Sequence, residues 1–337
     1  GPPMKAAVFH GPRDIRFEDV PRPELNDGEA LMRVRACGIC GSDLHTYREG
    51  LFLQLGLPIE QGRILGHEYS GEIVEIKGDV PSLRLGGRYT TVSMGGNAEF
   101  LRITPFIASR MLPIPDDISF EEAATTEPLA TSLHAVNLAD PKDEQTLVIM
   151  GAGIIGLGIL QGIKARSGAR TIVVDLSPRR LALATQLGAD LTIDASREDA
   201  VALLRKLHGT TDLSLLDSAE SGIDTVFDCA GATAHYKGTT VLEQALSLVR
   251  QNGKVIVVAV FERKVEVDLN VIVRKGVQLL GSWAWTPPEF AQALDLISSG
   301  KIDRKPLITH RFSLEQASQA YETQMQANEA IKVVLTP

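Results

Sequence analysis

The stretch VIMGAGIIGLGIL, residues 148–160, decides the fold. Gly151, Gly153 and Gly156 make the pattern G-x-G-x-x-G. Alone that pattern is weak, because glycine-rich turns are common. Its setting gives it meaning. The apolar run TLVIM precedes it as a strand, a helical pattern opens at it, and a second run, TIVVD, ends in Asp175. The acid stands about 20 residues beyond the last glycine, where a ribose-binding carboxylate belongs in a dinucleotide-binding unit. Such glycines let the backbone approach a pyrophosphate at a helix N-terminus. Gly151, Gly153, Ile154, Ile155 and Gly156 are therefore expected at the cofactor. Asp175 can accept both adenosine ribose hydroxyls and repels a 2′-phosphate, which favours NAD over NADP.

Outward from this stretch the chain has two textures. From about residue 146, strands alternate with helices. TLVIM, TIVVD, LTID, TVFDC, KVIVVAV and VQLLGS are near-continuous apolar runs, as a parallel sheet buried on both faces requires. Ser177, Pro178 and Gly188 punctuate one intervening helix, and Thr286, Glu289 and Gly300 another. The middle is therefore a doubly wound α/β domain. Before about residue 105 the chain reads as short strands separated by turns: KAAVFH, IRFEDV, EALMRVRA, EYSGEIVEI and GRYTTV. Ser119 with Glu122 is a capping box that starts a helix. The tail gives a strand, a helix from near Ser313 and a last strand, which are expected to rejoin the first domain. The expected division is 1–128 with 301–337, and 129–300.

Composition bounds the function. The chain has 337 residues, is 44% hydrophobic and 23% charged, and carries a net charge of −8. That balance argues against nucleic acid or an anionic membrane as partner. No apolar run reaches the roughly 18 residues of a membrane span, and the opening GPPMKAAVFHGPRD lacks a signal-peptide core. A cytoplasmic protein is expected, with Gly1 to Pro3 read as an expression remnant before Met4.

The three cysteines raise a narrower question. Cys37 and Cys40 stand at C-x-x-C spacing in RACGICGSDLHTY, and Cys229 is distant. Three cysteines cannot build a four-cysteine zinc site or a paired disulfide framework. A redox pair belongs near a βαβ pattern, usually at a helix start; here a strand-like run precedes it and β-rich sequence is expected to continue. His67 beside Glu68, and Glu127 at the junction of the halves, could join Cys40 in a nitrogen, sulfur and oxygen set suited to zinc with an open position. Spacing alone leaves this open, since an isolated histidine is more often satisfied by ordinary hydrogen bonds.

CGICGSDLH, GHEYSGEIVEI, EPLATSLHAV and GAGIIG with Asp175 resemble the zinc-dependent medium-chain dehydrogenase/reductase family, over essentially the whole chain. The likeness is greatest to its sorbitol, butanediol and threonine dehydrogenase branch. The resemblance implies a GroES-like β-rich catalytic domain interrupted by a Rossmann domain, with the active site between them. It implies that Cys40, His67 and Glu68 bind a catalytic zinc, with Glu127 at the metal or on its water. Cys37 is then a buried bystander. Ser42 and His45 match the proton relay, and Asp43 matches the carboxylate that orients the histidine ligand. Lys332 and Arg180 resemble basic residues that touch the cofactor. A homodimer or homotetramer acting on a small alcohol is expected.

Two departures from the family pattern qualify this. GGRYTTVSMGGNAEFLRI has no cysteines where relatives with a structural zinc carry a four-cysteine lobe, so a single zinc is expected. Sorbitol dehydrogenases place Arg and Tyr where this chain has Ala284 and Trp285, which weakens a sugar-alcohol assignment and makes Trp285 a candidate substrate wall. The expected reaction interconverts a secondary alcohol (a small diol, polyol or cyclitol) and its ketone by hydride transfer. Oxidation of a hydroxy-amino acid, as in threonine dehydrogenases, and a non-catalytic NAD-binding role on the same fold are the competing readings.

Overall fold

The computed structural model describes residues 2–52, 57–58, 63–209 and 221–337, so Gly1 of the suspected remnant lies outside it. The chain divides into Gly1–Pro128 with Pro287–Pro337, and Leu129–Thr286. The second boundary falls before helix Pro287–Ser298, not at the expected 300/301. That helix buries Phe290, Ala293, Leu294 and Ile297 and packs against helix Phe120–Ala124 of the first unit.

In the first unit, strand Glu29–Gly38 is the hub. It pairs antiparallel with Glu68–Lys77, Phe100–Ile103 and the last strand, Lys332–Leu335. Lys332–Leu335 in turn runs parallel to Ile308–Phe312. The register places Gly38 opposite both Glu68 and Val334. Three distant segments thus converge where strand Glu29–Gly38 ends. Ala30, Met32, Val34, Tyr69, Ile73 and Ile103 form an adjoining core.

At that end the β structure stops, contrary to the sequence expectation. Helix Gly41–Glu49 begins instead, with Cys40 as its N-cap. The Cys40 sulfur accepts from the Ser42 amide, and Asp43 returns a bond to the Cys40 amide, forming a capping box. Cysteine is not among the preferred cap residues, so this start carried no ordinary signal.

The second unit holds a six-stranded parallel sheet. Its order is Leu191–Asp194, Arg170–Asp175, Thr146–Met150, Thr225–Asp228, Lys254–Val257, Gln278–Gly281. Val148, Ile149, Ile172, Val173, Val226, Phe227, Val255 and Ile256 are fully buried, which explains the unbroken apolar runs. Strand order reverses between Thr146–Met150 and Thr225–Asp228, the switch point at which such sheets bind ligands beyond the strand ends. Among the described residues no helix is long and apolar enough to cross a membrane.

Candidate metal and dinucleotide sites

The end of strand Glu29–Gly38 gathers chemistry. Cys40, Asp43 and His67 offer ligand atoms within 4.8 Å of one another, and so do His67, Glu68 and Glu127. His67 belongs to both groups, which joins them into one cluster. Each member has a local reason to be there. Cys40 caps its helix, Glu68 opens the strand paired with Gly38, and Glu127 lies in the first turn of helix Thr126–Ala139.

Asp43 ties two of these together. One carboxylate oxygen accepts from the Cys40 amide at 3.0 Å, and the other lies 3.7 Å from His67 Nδ1. It is 3% exposed, so this is a fixed orienting group. Burial opposes charge on His67, but the Cys40 and Asp43 charges outweigh it and raise the imidazole well above its ordinary value. Ser42 Oγ stands 3.0 Å from Cys40 Sγ. His45 follows one turn later, with its Nδ1 3.0 Å from the Arg48 guanidinium. Arginine only donates, so Nδ1 accepts and a neutral His45 carries its proton on Nε2.

Cys37 is fully buried, and burial pushes its thiol far up. Gly66, at φ +92°, leaves room for it: a Cβ there would come within 2.7 Å of the Cys37 sulfur and collide with Asn97. The sulfur is a packing element behind His67.

Lys332, read from sequence as a basic residue that touches the cofactor, is buried against this cluster. Its ammonium donates to Glu68 Oε1 at 2.8 Å and to the Ile39 carbonyl at 2.7 Å. Burial disfavours the ammonium, but Glu68 and Cys40 more than compensate and raise its pKa. A lysine inside the apolar run AIKVVL was the available signal, because a lysine is almost never fully buried without a partner. Arg304, fully buried, bonds Thr125 Oγ1 at 3.2 Å. It stands in the charged segment KIDRK, where nothing marks it as internal.

The donor chemistry suits zinc. One thiolate, one imidazole and carboxylates can complete a four-coordinate shell and still leave a position for substrate. The residues that would hold the ion are Cys40, His67 and Glu68, with Glu127 beside them.

In the second unit the glycine loop has the form an anion needs. Gly151 has φ +113°, and a Cβ there would lie 3.1 Å from the Cys229 backbone. Gly153 caps helix Ile154–Arg166 without a side-chain bond, and the Arg180 guanidinium lies close to it. Asp175 sits at the end of its strand. Its two oxygens accept from the Ala152 and Ser177 amides, each at 2.9 Å, so the carboxylate is clamped to the glycine loop. Trp285 is half-buried, whereas Trp283 is 64% exposed, and Ala284 between them has φ +53°.

Comparison with known proteins agrees with this picture. Residues 26–102 match the alcohol dehydrogenase GroES-like domain, and residues 155–299 match the zinc-binding dehydrogenase domain. The chain is 32% identical to a sorbitol dehydrogenase of Bacillus subtilis, covering 99% of this chain and 97% of that one. It is 33% identical to an erythritol/L-threitol dehydrogenase of Mycolicibacterium smegmatis, over 99% and 98%. The crystal structure of 2R,3R-butanediol dehydrogenase from Bacillus subtilis superposes with a TM-score of 0.84 at 27% identity, covering 99% of each chain.

Proposed function

Because the chain belongs to the zinc-binding alcohol and polyol dehydrogenases of the medium-chain dehydrogenase/reductase family, we propose that it oxidises a secondary alcohol bearing a neighbouring hydroxyl. The product is the ketone, the hydride acceptor NAD, and the metal a single zinc. The observation that carries this reading is the paired carboxylates, Glu68 and Glu127, within 4.8 Å of His67. Carboxylates beside a metal can accept a hydrogen bond from a second substrate hydroxyl. Named relatives that act on sorbitol, erythritol and butanediol support the same class.

When bound, zinc supplies Lewis acidity that lowers the pKa of an alcohol, and NAD supplies the hydride acceptor. The protein supplies the rest. Cys40, His67 and Glu68 hold the ion, Asp43 orients His67, and Lys332 orients Glu68. Ser42 Oγ, 3.0 Å from the Cys40 sulfur, receives the substrate hydroxyl proton. His45, one turn along the same helix, carries it onward. Asp175 fixes the adenosine ribose and disfavours the extra phosphate of NADP.

A panel of secondary alcohols and vicinal diols with NAD and with NADP, followed by absorbance of the reduced cofactor, tests the proposal. Diols with NAD should lead the panel. Failure to oxidise any diol or polyol by zinc-loaded protein would refute it.

A further inference from the structure

Asp228 ends strand Thr225–Asp228 as the acid of TVFDC, and it is fully buried. One carboxylate oxygen, Oδ1, accepts from the Ala230 amide at 3.1 Å and from the Gly231 amide at 2.9 Å. Among the described residues, Oδ2 meets no donor. An acid is almost never fully buried unless paired, and a buried oxygen left unmet is costly and calls for a reason. Burial raises the Asp228 carboxyl above its ordinary value, against the pull of the two amides. Neither the metal cluster nor the proton relay uses this residue.

Its surroundings supply the reason. Strand Thr146–Met150, which leads into the glycine loop, lies between Arg170–Asp175 and Thr225–Asp228. Each of these neighbours ends in an aspartate. Asp175 holds the loop from one side through the Ala152 amide at 2.9 Å. On the other side Asp228 stands opposite Met150, one residue before Gly151, and the Cys229 amide donates to the Met150 carbonyl at 2.9 Å. A Cβ on Gly151 would lie 3.1 Å from the Cys229 carbonyl carbon and oxygen and 3.2 Å from the Ala230 nitrogen. The turn after Asp228 therefore rests on the first glycine of the fingerprint. Its far side is fixed too. The Asp228 carbonyl accepts from the Val258 and Ala259 amides at 3.0 and 3.1 Å, and a Cβ on Gly231, at φ +66°, would collide with the Val260 carbonyl.

We infer that Asp228 is a positioning residue for the dinucleotide: through the Ala230 and Gly231 amides it fixes the Cys229–Gly231 turn as one wall of the crevice at Gly151. An acceptor is required at this point, because without one two amides lose their partner and the turn is free to shift. Gly151 leaves no slack for such a shift, and a crevice whose wall has moved binds the dinucleotide less well. The inference rests on the dinucleotide reading of the glycine loop and is independent of zinc.

NADH binding to the full-length protein, read from the cofactor's fluorescence, tests this without turnover. Asp228→Asn keeps an acceptor for both amides, Asp228→Ala removes it, and Asp228→Ser offers a hydroxyl too short to serve both. Val226→Ala opens a cavity in the fully buried core of the same strand and is the control for stability alone. Asp228→Ala should raise the Kd for NADH about tenfold, with Asp228→Asn within about threefold of wild type. Val226→Ala should lower Tm yet leave the Kd unchanged. If Asp228→Ala does not fold, Asp228→Ser carries the test, with a Kd raised severalfold. Wild-type affinity in Asp228→Ala or Asp228→Ser, a loss in Asp228→Asn as large as in Asp228→Ala, or an equal loss in Val226→Ala overturns the inference and leaves the NAD reading standing. A wild-type chain that binds no NADH defeats both.

Discussion

The Lys332 ammonium and the Glu68 carboxylate stand 2.8 Å apart, with only 1% and 2% of their side chains exposed. One partner comes from the last strand and the other from Glu68–Lys77, so the contact joins the two chain segments of the first unit. A buried pair of this kind is weak grounds for net stability, but removing one partner strands the other charge. Lys332→Met should therefore destabilise the chelator-treated protein by about 3–5 kcal/mol. Excess zinc should recover part of that loss, because a second cation then faces Glu68. Urea unfolding with and without zinc measures both numbers. A loss below about 1 kcal/mol, as for an exposed pair, would show that the contact is not maintained.

The C-x-x-C spacing hides two unlike residues. Cys40 is at the helix cap beside His67, while Cys37 is sealed behind Gly66. Elemental analysis should find one zinc per chain in wild type and in Cys37→Ala, and little in Cys40→Ala. Cys37→Ala should cost roughly 1–2 kcal/mol through the small cavity it opens. Equal metal loss in the two variants, or two zinc ions per chain, would break this assignment.

His67 gives a pH dependence whose sign changes with metal. Without metal, burial opposes the imidazolium, but the Cys40 and Asp43 charges raise its pKa well above 6.5. A folded pKa above the unfolded one contributes stability that is complete below about 6.5 and is lost as pH rises through the raised folded value. With zinc bound, the ring must be neutral, so protons compete with the metal and affinity falls as pH drops. Chelated protein should lose Tm as pH rises from about 6.5, and zinc-loaded protein should gain it over the same interval. Parallel slopes in the two forms, or no change on His67→Gln, would contradict this.

Much of this architecture was legible because apolar periodicity and helix punctuation agree with each other. Ser177, Ser119 and Ser313 all cap where their patterns place them, and each parallel strand appears at its predicted run. The hidden parts share a cause. Lys332 and Arg304 make tertiary contacts to Glu68 and Thr125, whereas Arg48 meets His45 one turn away on the same helix. Helix Gly41–Glu49 was missed because its cap is a cysteine chosen for chemistry rather than for helix propensity.

Asp175 would have two duties under the proposed NAD preference. Its oxygens clamp the Ala152 and Ser177 amides, and its charge would disfavour a 2′-phosphate. Asp175→Ser should raise KM for NAD and narrow the preference over NADP. Losing a charged acceptor for two amides should also cost about 1–3 kcal/mol. Steady-state kinetics with both cofactors and a thermal melt cover the two effects. Faster turnover of wild type with NADP at equal low concentration would remove the basis for assigning NAD.

The substrate should be distinguished by its second hydroxyl. Glu68 and Glu127 supply acceptors beside the metal position, and a buried acceptor left unmet costs about 1–3 kcal/mol. A vicinal diol should therefore exceed its mono-alcohol in kcat/KM by about 10–100-fold. The arginine that resemblance to sorbitol dehydrogenases leads one to expect is absent from GSWAWTPPEF, which shifts the proposed substrate toward a less polar or ring-shaped diol. Ala284 holds a left-handed backbone, φ +53°, between an exposed Trp283 and a half-buried Trp285. That conformation costs an alanine some strain, and of the two tryptophans it is the half-buried Trp285 that is proposed to wall a substrate. Trp285→Ala should raise KM for the diol severalfold while changing KM for NAD little, and Trp283→Ala should change neither. Efficient turnover of simple primary alcohols, with no gain from a second hydroxyl, would remove the carboxylate pair from substrate recognition.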